Sequence, residues 1–252
     1  MKHIDQEFCL PFDKENPEFW MRIEHLGRYV FAADYARKIG AKSVLDVACS
    51  NGYGCRQMAG SGAQILGIDY NASLIDSATA LSNAAQITNA AFRCADLNTD
   101  PLSDIPTPDL ITCFDTLEHL ESPADFLSKL SGMQTKNGTL LLSVPKAKFE
   151  PTDKAGVPTN TFHLHRFSEA DMTDLLTGAG YRIQQNLYQP HTNICMSLHN
   201  KACRESGTSK QIALAHFDQS DKSLLFFARM FGIPTTDLNE FSYGVFFVAQ
   251  KG

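Results

Sequence analysis

Three aspartates lie within or at the end of short apolar runs in the N-terminal half of the chain. Asp46 lies in SVLDVA, Asp69 ends AQILGID and Asp96 ends AAFRCAD. After Asp46 the chain continues as the turn-rich CSNGYG, whose small side chains let the backbone approach a ligand closely. A carboxylate at a strand end can accept hydrogen bonds from two ribose hydroxyls. The pattern predicts a nucleoside pocket, whereas an acid beside an incomplete glycine motif disfavours pyrophosphate.

Histidines form a second group of chemically competent side chains. Glu118 and His119 come shortly after the apolar run DLITCF at 109–114, and His163 and His165 follow the run GTLLLSV at 138–144. Histidine is the side chain best suited to take up a proton near neutral pH, so all three histidines are candidate catalytic bases. His119 is the first candidate because it lies nearest a strand end. Each histidine could instead hold a loop through a backbone carbonyl.

Residues of metal-binding type also recur four apart at His191, Cys195, His199 and Cys203. Successive steps of four drift around a helix, so one helix would offer two of these side chains to a site and not a tetrahedral set. His163 and His165 lack a third ligand at a telling spacing. We therefore expect no metal site.

The secondary-structure elements that must position these residues can be predicted from changes in the spacing of apolar residues along the chain. Short runs that are apolar along their whole length alternate with segments of helical period, which is typical of a mainly parallel sheet covered on both faces. The predicted fold is a doubly wound α/β sheet, in which ligands bind beyond the carboxyl ends of the strands. The predicted strands are 43–48, 63–69, 90–96, 109–114, 138–144, 181–188 and 241–250, and the predicted helices are 15–39, one from about Gly54, 72–86, 123–130 and 167–180.

Several of these segments form an ordered set of motifs. From about Val44 to the end of the chain, VLDVACSNGYG, ILGIDYN, FRCADL, DLITCFDTLEHL, NGTLLLSVPK and HLHRFSEADMTDLLTGAGY follow one another. In this order they resemble the class I S-adenosylmethionine-dependent methyltransferases, of the type that acts on small molecules or sugars. The resemblance implies a Rossmann-like sheet of seven strands in the order 3-2-1-4-5-7-6, with the last strand antiparallel.

The same resemblance implies S-adenosyl-L-methionine as the cofactor and assigns its contacts. The family usually has glycine where this chain has Ser50, and serine costs stability if that position needs a positive φ. The implied contacts are Asp46 near the methionine amino group, Ala48, Ser50 and Gly52 under the cofactor, Asp69 at the ribose, Asp96 and Leu97 along the adenine, and Phe114 at the sulfonium, with Tyr70 as a further cofactor-binding residue.

Composition limits the partners. The 252 residues carry 22 Lys and Arg against 28 Asp and Glu, and no basic cluster stands out, so we expect no nucleic-acid partner. No apolar run approaches the roughly 18 residues of a membrane span, and the N-terminus does not resemble a secretory signal. An odd number of cysteines, seven, is typical of reduced thiols. We therefore expect no membrane partner and a cytoplasmic location.

The expected organisation is a helical cap at 1–40 and a methyltransferase domain at 41–252, with 190–240 as an insertion or lid between the last two strands. Either the N-terminal helix or 190–240 could also form a homodimer contact. The expected function is methyl transfer to an oxygen or nitrogen of a small molecule or sugar-containing metabolite. A protein methyltransferase and a non-catalytic S-adenosylmethionine-binding protein are the alternatives. Nucleic-acid methylation is disfavoured by charge and by FDTLEH after the fourth strand, where such enzymes carry an Asn/Asp-Pro-Pro-Tyr type of segment.

Overall fold

One seven-stranded sheet organises the chain. The structure is a computed structural model that describes residues 9–13, 19–209, 214, 217 and 220–252. The strand order is 3-2-1-4-5-7-6, and β7 runs antiparallel to both of its neighbours, as expected from the sequence. The strands are β1 (Ser43–Val47), β2 (Gln64–Asp69), β3 (Ala90–Cys94), β4 (Leu110–Phe114), β5 (Thr139–Pro145), β6 (Tyr181–Leu187) and β7 (Gly244–Lys251).

Helices cover both faces of this sheet, and local sequence signals start two of them. The Asn71 side chain accepts the backbone N–H groups of Ser73 and Leu74, and Ser168 and Asp171 form a reciprocal capping box. The described α-helices are α1 (Phe19–Ile39), α2 (Tyr53–Ala59), α3 (Ala72–Ala84), α4 (Pro123–Met133), α5 (Glu169–Gly178), α6 (Pro190–Ser206) and α7 (Asp221–Phe227).

The core has two layers because successive strand residues point to opposite faces. Leu110 of β4 packs in one buried cluster with Ile23 and Leu26 of α1, and Ile111 packs in the other with Leu127 of α4. Burial on both faces explains why β1, β4 and β5 are apolar along nearly their whole length.

The N-terminal helix shares its core with the sheet. The expected cap at 1–40 corresponds to α1, although 1–8 and 14–18 of it lie outside the described residues. The buried apolar side chains of α1 belong to the same cluster as residues of the strands, so the helix covers one face of the sheet.

The segment between β6 and β7 holds α6, α7 and a short π-helix at Ala228–Gly232. Parts of the expected insertion, 210–213, 215–216 and 218–219, lie outside the described residues. The π-helix packs directly on α1, where a Cβ on Gly27 would clash with the Gly232 carbonyl. None of the described helices combines the length and apolarity needed to cross a lipid bilayer.

Candidate active site

A cavity of about 780 Å³ opens at the carboxyl ends of β1, β2 and β4. Small-molecule sites typically span about 300 to 1,000 Å³. Its wall is completed by α1, by residues 160–163 after β5 and by α6, through Trp20, Asn160, Asn193 and Met196 among others. The cavity therefore lies where the doubly wound fold places ligands.

The loop after β1 forms the floor of one half of this cavity. Ala48, Ser50 and Gly52 all have positive φ, at 57°, 52° and 70°. Ser50 thus has the positive φ at which serine is less favourable than glycine, since a left-handed backbone at a residue with a Cβ costs roughly 1–2 kcal/mol. Ala48 and Ser50 line the cavity.

Asp69 ends β2 and is attached to that loop. Its Oδ2 accepts the Ser50 N–H at 2.9 Å, and its Oδ1 accepts the Asn71 N–H at 2.9 Å. These bonds fix a nearly buried carboxylate whose edge borders the cavity. Each carboxylate oxygen can accept a further hydrogen bond, so the group suits a pair of hydroxyls.

Four other residues expected from the family resemblance border the same half. Asp96 lies two residues beyond β3, and its Oδ1 accepts the Asn98 N–H at 2.9 Å. Phe114, at the end of β4, packs edge to face against Tyr29 with ring centroids 5.0 Å apart. Tyr70, Asp96, Leu97 and Phe114 all line the cavity.

Asp46 and Gly52 do not line the cavity. The Asp46 carboxylate is fully buried and accepts hydrogen bonds from Thr112 Oγ1 at 2.6 Å, Tyr29 OH at 3.1 Å and Cys55 Sγ at 3.2 Å. Burial raises the pKa of Asp46 to about 6 despite these bonds. Gly52 packs where a Cβ would meet the Phe92 ring. Both residues support the loop from behind its cavity face.

A charged network on α1 borders the other side of the cavity. The Arg28 guanidinium donates to the Asp115 carboxylate, to Glu24 Oε1 at 3.2 Å and to Gln189 Oε1 at 2.7 Å. Burial by itself would raise the pKa of Asp115, but Arg28 and His25 lower it to about 2. The network joins α1 to the ends of β4 and β6, and it leaves Arg28 with a raised pKa, as the charge of its partners outweighs burial.

A third cluster lies beyond β4, in the 3-10 turn Leu117–His119. One ligand-type atom from each of Glu118, His119 and His163 lies within 4.8 Å of the others. The His119 and His163 rings meet edge to face with centroids 4.9 Å apart. His119 Nδ1 pairs with the Phe162 carbonyl at 2.9 Å, and His163 Nδ1 pairs with the Glu150 carboxylate. All three residues of the cluster line the cavity.

Two buried glutamates lie in and beside the cluster. Glu118 and Glu150 are 1% and 5% exposed, and Oε2 of each makes no hydrogen bond within the described part of the chain. Burial, together with the neighbouring Asp115, raises the pKa of Glu118 well above its usual range. The site therefore combines two imidazoles with a buried carboxyl group, one oxygen of which makes no hydrogen bond within the described residues.

Comparison with known proteins identifies the family. The sequence matches the family described as a methyltransferase domain over residues 20–186, more than half of the chain. The chain belongs to this methyltransferase family. The match runs from α1 to β6 and includes the loop after β1, Asp69 and the histidine cluster.

Named relatives agree with this family. The chain is 29% identical over 153 residues to a probable S-adenosylmethionine-dependent methyltransferase of Mycolicibacterium smegmatis, and the match covers 60% of this chain and 56% of the relative. It is 28% identical to the ubiquinone biosynthesis O-methyltransferase of Glaesserella parasuis, covering 57% of this chain and 65% of that protein. The matches thus span less than two thirds of either relative.

A solved structure confirms the fold. The magnesium protoporphyrin IX methyltransferase of Synechocystis PCC 6803, crystallised with S-adenosylhomocysteine, superposes with a TM-score of 0.58 over 98% of this chain and 90% of its own, at 16% identity. The expectation of a class I methyltransferase is therefore confirmed at the level of family and fold.

His165 has a different position from His119 and His163. Its Nε2 pairs with the Leu120 carbonyl at 2.9 Å, its ring stacks on Phe167, and it does not line the cavity. The Glu118 carbonyl accepts the N–H groups of Leu164 and His165 at 2.7 and 3.2 Å. These bonds hold the 160–165 segment against the turn and thereby bring His163 to His119.

Sequence reasoning missed Glu150 and the Arg28 network. Glu150 lies outside every motif, and its relation to His163 depends on how the loop folds back. The signal for Arg28 was a concentration of polar and aromatic residues on the N-terminal helix, but its partners Asp115 and Gln189 are distant in sequence. In the stripe at 191–203, His199 Nε2 and Cys203 Sγ are 3.4 Å apart, and among the described residues the stripe gathers no third ligand.

Proposed function

We propose that this methyltransferase transfers the methyl group of S-adenosylmethionine to an oxygen or nitrogen of a small molecule or sugar-containing metabolite. One observation carries the proposal: a single cavity borders both the anchored Asp69 carboxylate and the Glu118, His119 and His163 cluster. Such a cavity has room for a nucleoside cofactor at one end and an acceptor at the other.

The half of the cavity at the strand ends is the proposed cofactor site. Asp69 would accept hydrogen bonds from the ribose hydroxyls, Asp96 and Leu97 would lie along the adenine, and Phe114 would border the sulfonium. Their position along one wall of the cavity supports this arrangement. The relative from M. smegmatis carries the name of an S-adenosylmethionine-dependent enzyme, which supports the same cofactor.

The chemistry needs alignment more than activation. A lone pair of the acceptor forms a bond to the methyl carbon while the carbon–sulfur bond breaks and its electron pair stays on sulfur, giving S-adenosylhomocysteine. The protein must hold the two groups in line and exclude water. A hydroxyl acceptor must also lose its proton, and we assign assistance in that step to the cluster of His119, His163 and Glu118. The O-methyltransferase among the relatives favours oxygen as the first acceptor atom to examine.

The enclosure of the cavity favours a small acceptor over a protein or nucleic acid. Trp20 and Met21 of α1 and Asn193 and Met196 of α6 border it, so the acceptor end is walled on two sides. A net charge of -6 adds to this preference, since a nucleic acid would be repelled. We infer that α1 and α6 form the walls of the acceptor site.

Calorimetric titration tests the cofactor assignment. We expect the chain to bind S-adenosylmethionine and S-adenosylhomocysteine but not NAD. Asp69→Ala should weaken binding by about tenfold or more, since a hydrogen bond to a charged group contributes roughly 1.5–3 kcal/mol. Asp76→Ala, at an exposed position on α3, is the matched control. Unchanged affinity in a folded Asp69→Ala protein would contradict the assignment.

A methyl-transfer screen tests the reaction. Radiolabelled S-adenosylmethionine is offered with hydroxylated, amino and sugar-linked small molecules, and separately with protein substrates. Transfer to a small acceptor is expected. Labelling of proteins alone would support the protein methyltransferase alternative, and tight cofactor binding without any transfer would support a binding protein.

A further inference from the structure

We propose that Glu118, His119 and His163 bind a divalent transition-metal cation at the acceptor end of the cavity, and that the acceptor is a hydroxyl compound held on this cation. Only the assignment of a hydroxyl acceptor rests on the proposed methyl transfer. The metal site itself stands on the geometry of the three side chains.

The first argument is convergence. The three residues come from two segments, the turn after β4 and the loop after β5, yet one ligand-type atom of each lies within 4.8 Å of the others. Hydrogen bonds from Leu164 and His165 to the Glu118 carbonyl hold these segments together. The cluster is therefore built into the fold and does not depend on one flexible side chain.

The second argument is the setting of the two imidazoles. A metal-binding histidine nearly always donates its other ring N–H to a carboxylate or a backbone carbonyl. His119 does so to the Phe162 carbonyl at 2.9 Å, and His163 to the Glu150 carboxylate. A proton on Nδ1 places the lone pair of each ring on Nε2, which is the form that a cation requires.

The third argument is the carboxyl oxygen of Glu118 that makes no hydrogen bond. Glu118 Oε2 is buried and makes no hydrogen bond within the described part of the chain, although it lies on the cavity wall. A buried carboxylate oxygen without a hydrogen bond is costly, and a bound cation removes this cost. Glu150 is buried behind His163 and completes a carboxylate–histidine–metal series.

The ligand set determines the class of cation. Two imidazole nitrogens and one carboxylate suit Zn²⁺, Mn²⁺, Fe²⁺ or Co²⁺, whereas Mg²⁺ prefers oxygen ligands throughout. Three protein ligands leave coordination positions open, as in catalytic metal sites. All three ligand residues line the cavity, so an acceptor oxygen inside it can take one of the open coordination positions.

The cation has a defined role in the reaction. Coordination lowers the pKa of a bound hydroxyl, so its proton passes to water near neutral pH. The resulting oxygen lone pair forms the bond to the methyl carbon, the carbon–sulfur bond breaks, and sulfur keeps the electron pair. His119 and His163 then act as ligands, and the acceptor is an alcohol or phenol rather than an amine.

Metal titration of the chelator-stripped full chain tests the site. Electron paramagnetic resonance of free Mn²⁺ should show one bound equivalent per chain, and Co²⁺ should give a visible absorption band from nitrogen coordination. Glu118→Gln and His163→Asn should each weaken Mn²⁺ binding by about a hundredfold, and Glu150→Gln by about ten- to a hundredfold. Glu121→Gln and His191→Asn, which lie outside the cavity, are matched controls and should bind as the wild type does.

Two results would overturn the site. One is the absence of stoichiometric Mn²⁺, Zn²⁺ and Co²⁺ binding to the folded wild-type chain. The other is wild-type affinity in His163→Asn, a variant that keeps Glu118 and so avoids the substitution most able to disturb folding. Circular dichroism and S-adenosylhomocysteine affinity establish that each variant is folded.

Activity separates the metal role from the proposed function. Removal of the metal should reduce methyl transfer to a hydroxyl acceptor by about a hundredfold or more, with recovery on addition of Mn²⁺ or Zn²⁺ and little change in cofactor affinity. Full transfer by the stripped enzyme would overturn the role of the cation and leave the methyltransferase function standing. Stoichiometric metal binding without transfer to any acceptor would overturn the function and its hydroxyl acceptor, and leave the metal site standing.

Discussion

Asp46 shows how one residue can belong to a ligand-binding motif and still act from behind the binding surface. Its carboxylate accepts hydrogen bonds from a tyrosine, a threonine and a cysteine, and none of its surface reaches the cavity. The loop that carries Ala48 and Ser50 begins directly after it. We infer that Asp46 stabilises the start of this loop, so its effect on a cofactor is transmitted through the backbone.

The raised pKa of Asp46 has a consequence for stability. The folded-state pKa is about 6 against a usual 3.8, so between pH 4 and 6 the unfolded chain has lost a proton that the folded chain retains. Raising the pH through this window therefore favours unfolding, by about 3 kcal/mol in total at about 1.4 kcal/mol per pH unit. Asp46→Asn should remove this loss, so its stability relative to the wild type should increase from pH 4 to pH 7.

Urea unfolding followed by fluorescence of the single tryptophan, Trp20, measures this effect at a series of pH values. Asp76→Asn, on the exposed face of α3, should leave the pH profile of the wild type unchanged. Parallel profiles for Asp46→Asn and the wild type would show that the carboxyl group titrates normally in the folded chain.

At the scale of elements, a close contact between α1 and the π-helix supports one wall of the cavity. Gly27 and Gly232 bring the two backbones so close that a Cβ at either position would clash with the opposite main chain. The contact fixes α1, which carries Trp20, Glu24 and Arg28 along the cavity wall. It also ties the segment after β6 to the N-terminal helix.

Gly27→Ala should therefore destabilise the protein by about 1–3 kcal/mol through overpacking and should weaken S-adenosylhomocysteine binding. Gly132→Ala is the matched control, because Gly132 also lies in a helix, α4, with open space where the Cβ would be. That change should raise the free energy of unfolding by up to about 1 kcal/mol, since alanine is the better helix former. Urea unfolding and calorimetry measure both effects, and a tolerated Gly27→Ala would mean that the two elements can separate without consequence.

At the scale of the whole molecule, one cavity joins parts of the chain that are far apart in sequence. It borders α1, the ends of three parallel strands, the 160–163 segment and α6. A ligand in this cavity contacts all these parts in the folded state and none of them as a unit in the unfolded state. Binding and global stability should therefore be linked.

S-adenosylhomocysteine at a hundred times its Kd should raise the free energy of unfolding by about 2.7 kcal/mol. Thermal or urea unfolding with and without the ligand measures the increase, and the same concentration of NAD is the control. Asp69→Ala should show a smaller increase at the same ligand concentration. A saturating concentration that leaves the unfolding transition unchanged would contradict binding to the native state.

The sequence alone determined the family, the strand order by way of that resemblance, and the local geometry of the strand ends. Asp69 ends β2, the loop after β1 turns tightly through residues with positive φ, and Ser168 caps α5, because turn and cap chemistry act over a few neighbouring residues. Hydrophobic period similarly predicted the strands, since burial on both faces demands continuous apolar runs.

Only the tertiary structure decided which of these residues share a site. Asp46 does not reach the cavity because Tyr29, Thr112 and Cys55 enclose its carboxylate. His165 lies outside the cavity while His163 meets His119, because the 160–165 loop is held by hydrogen bonds to a turn distant in sequence. Glu150 and the Arg28 partners were set by the same long-range contacts. The spacing of residues along the chain does not predict such contacts, since they form only when separate elements pack on one sheet.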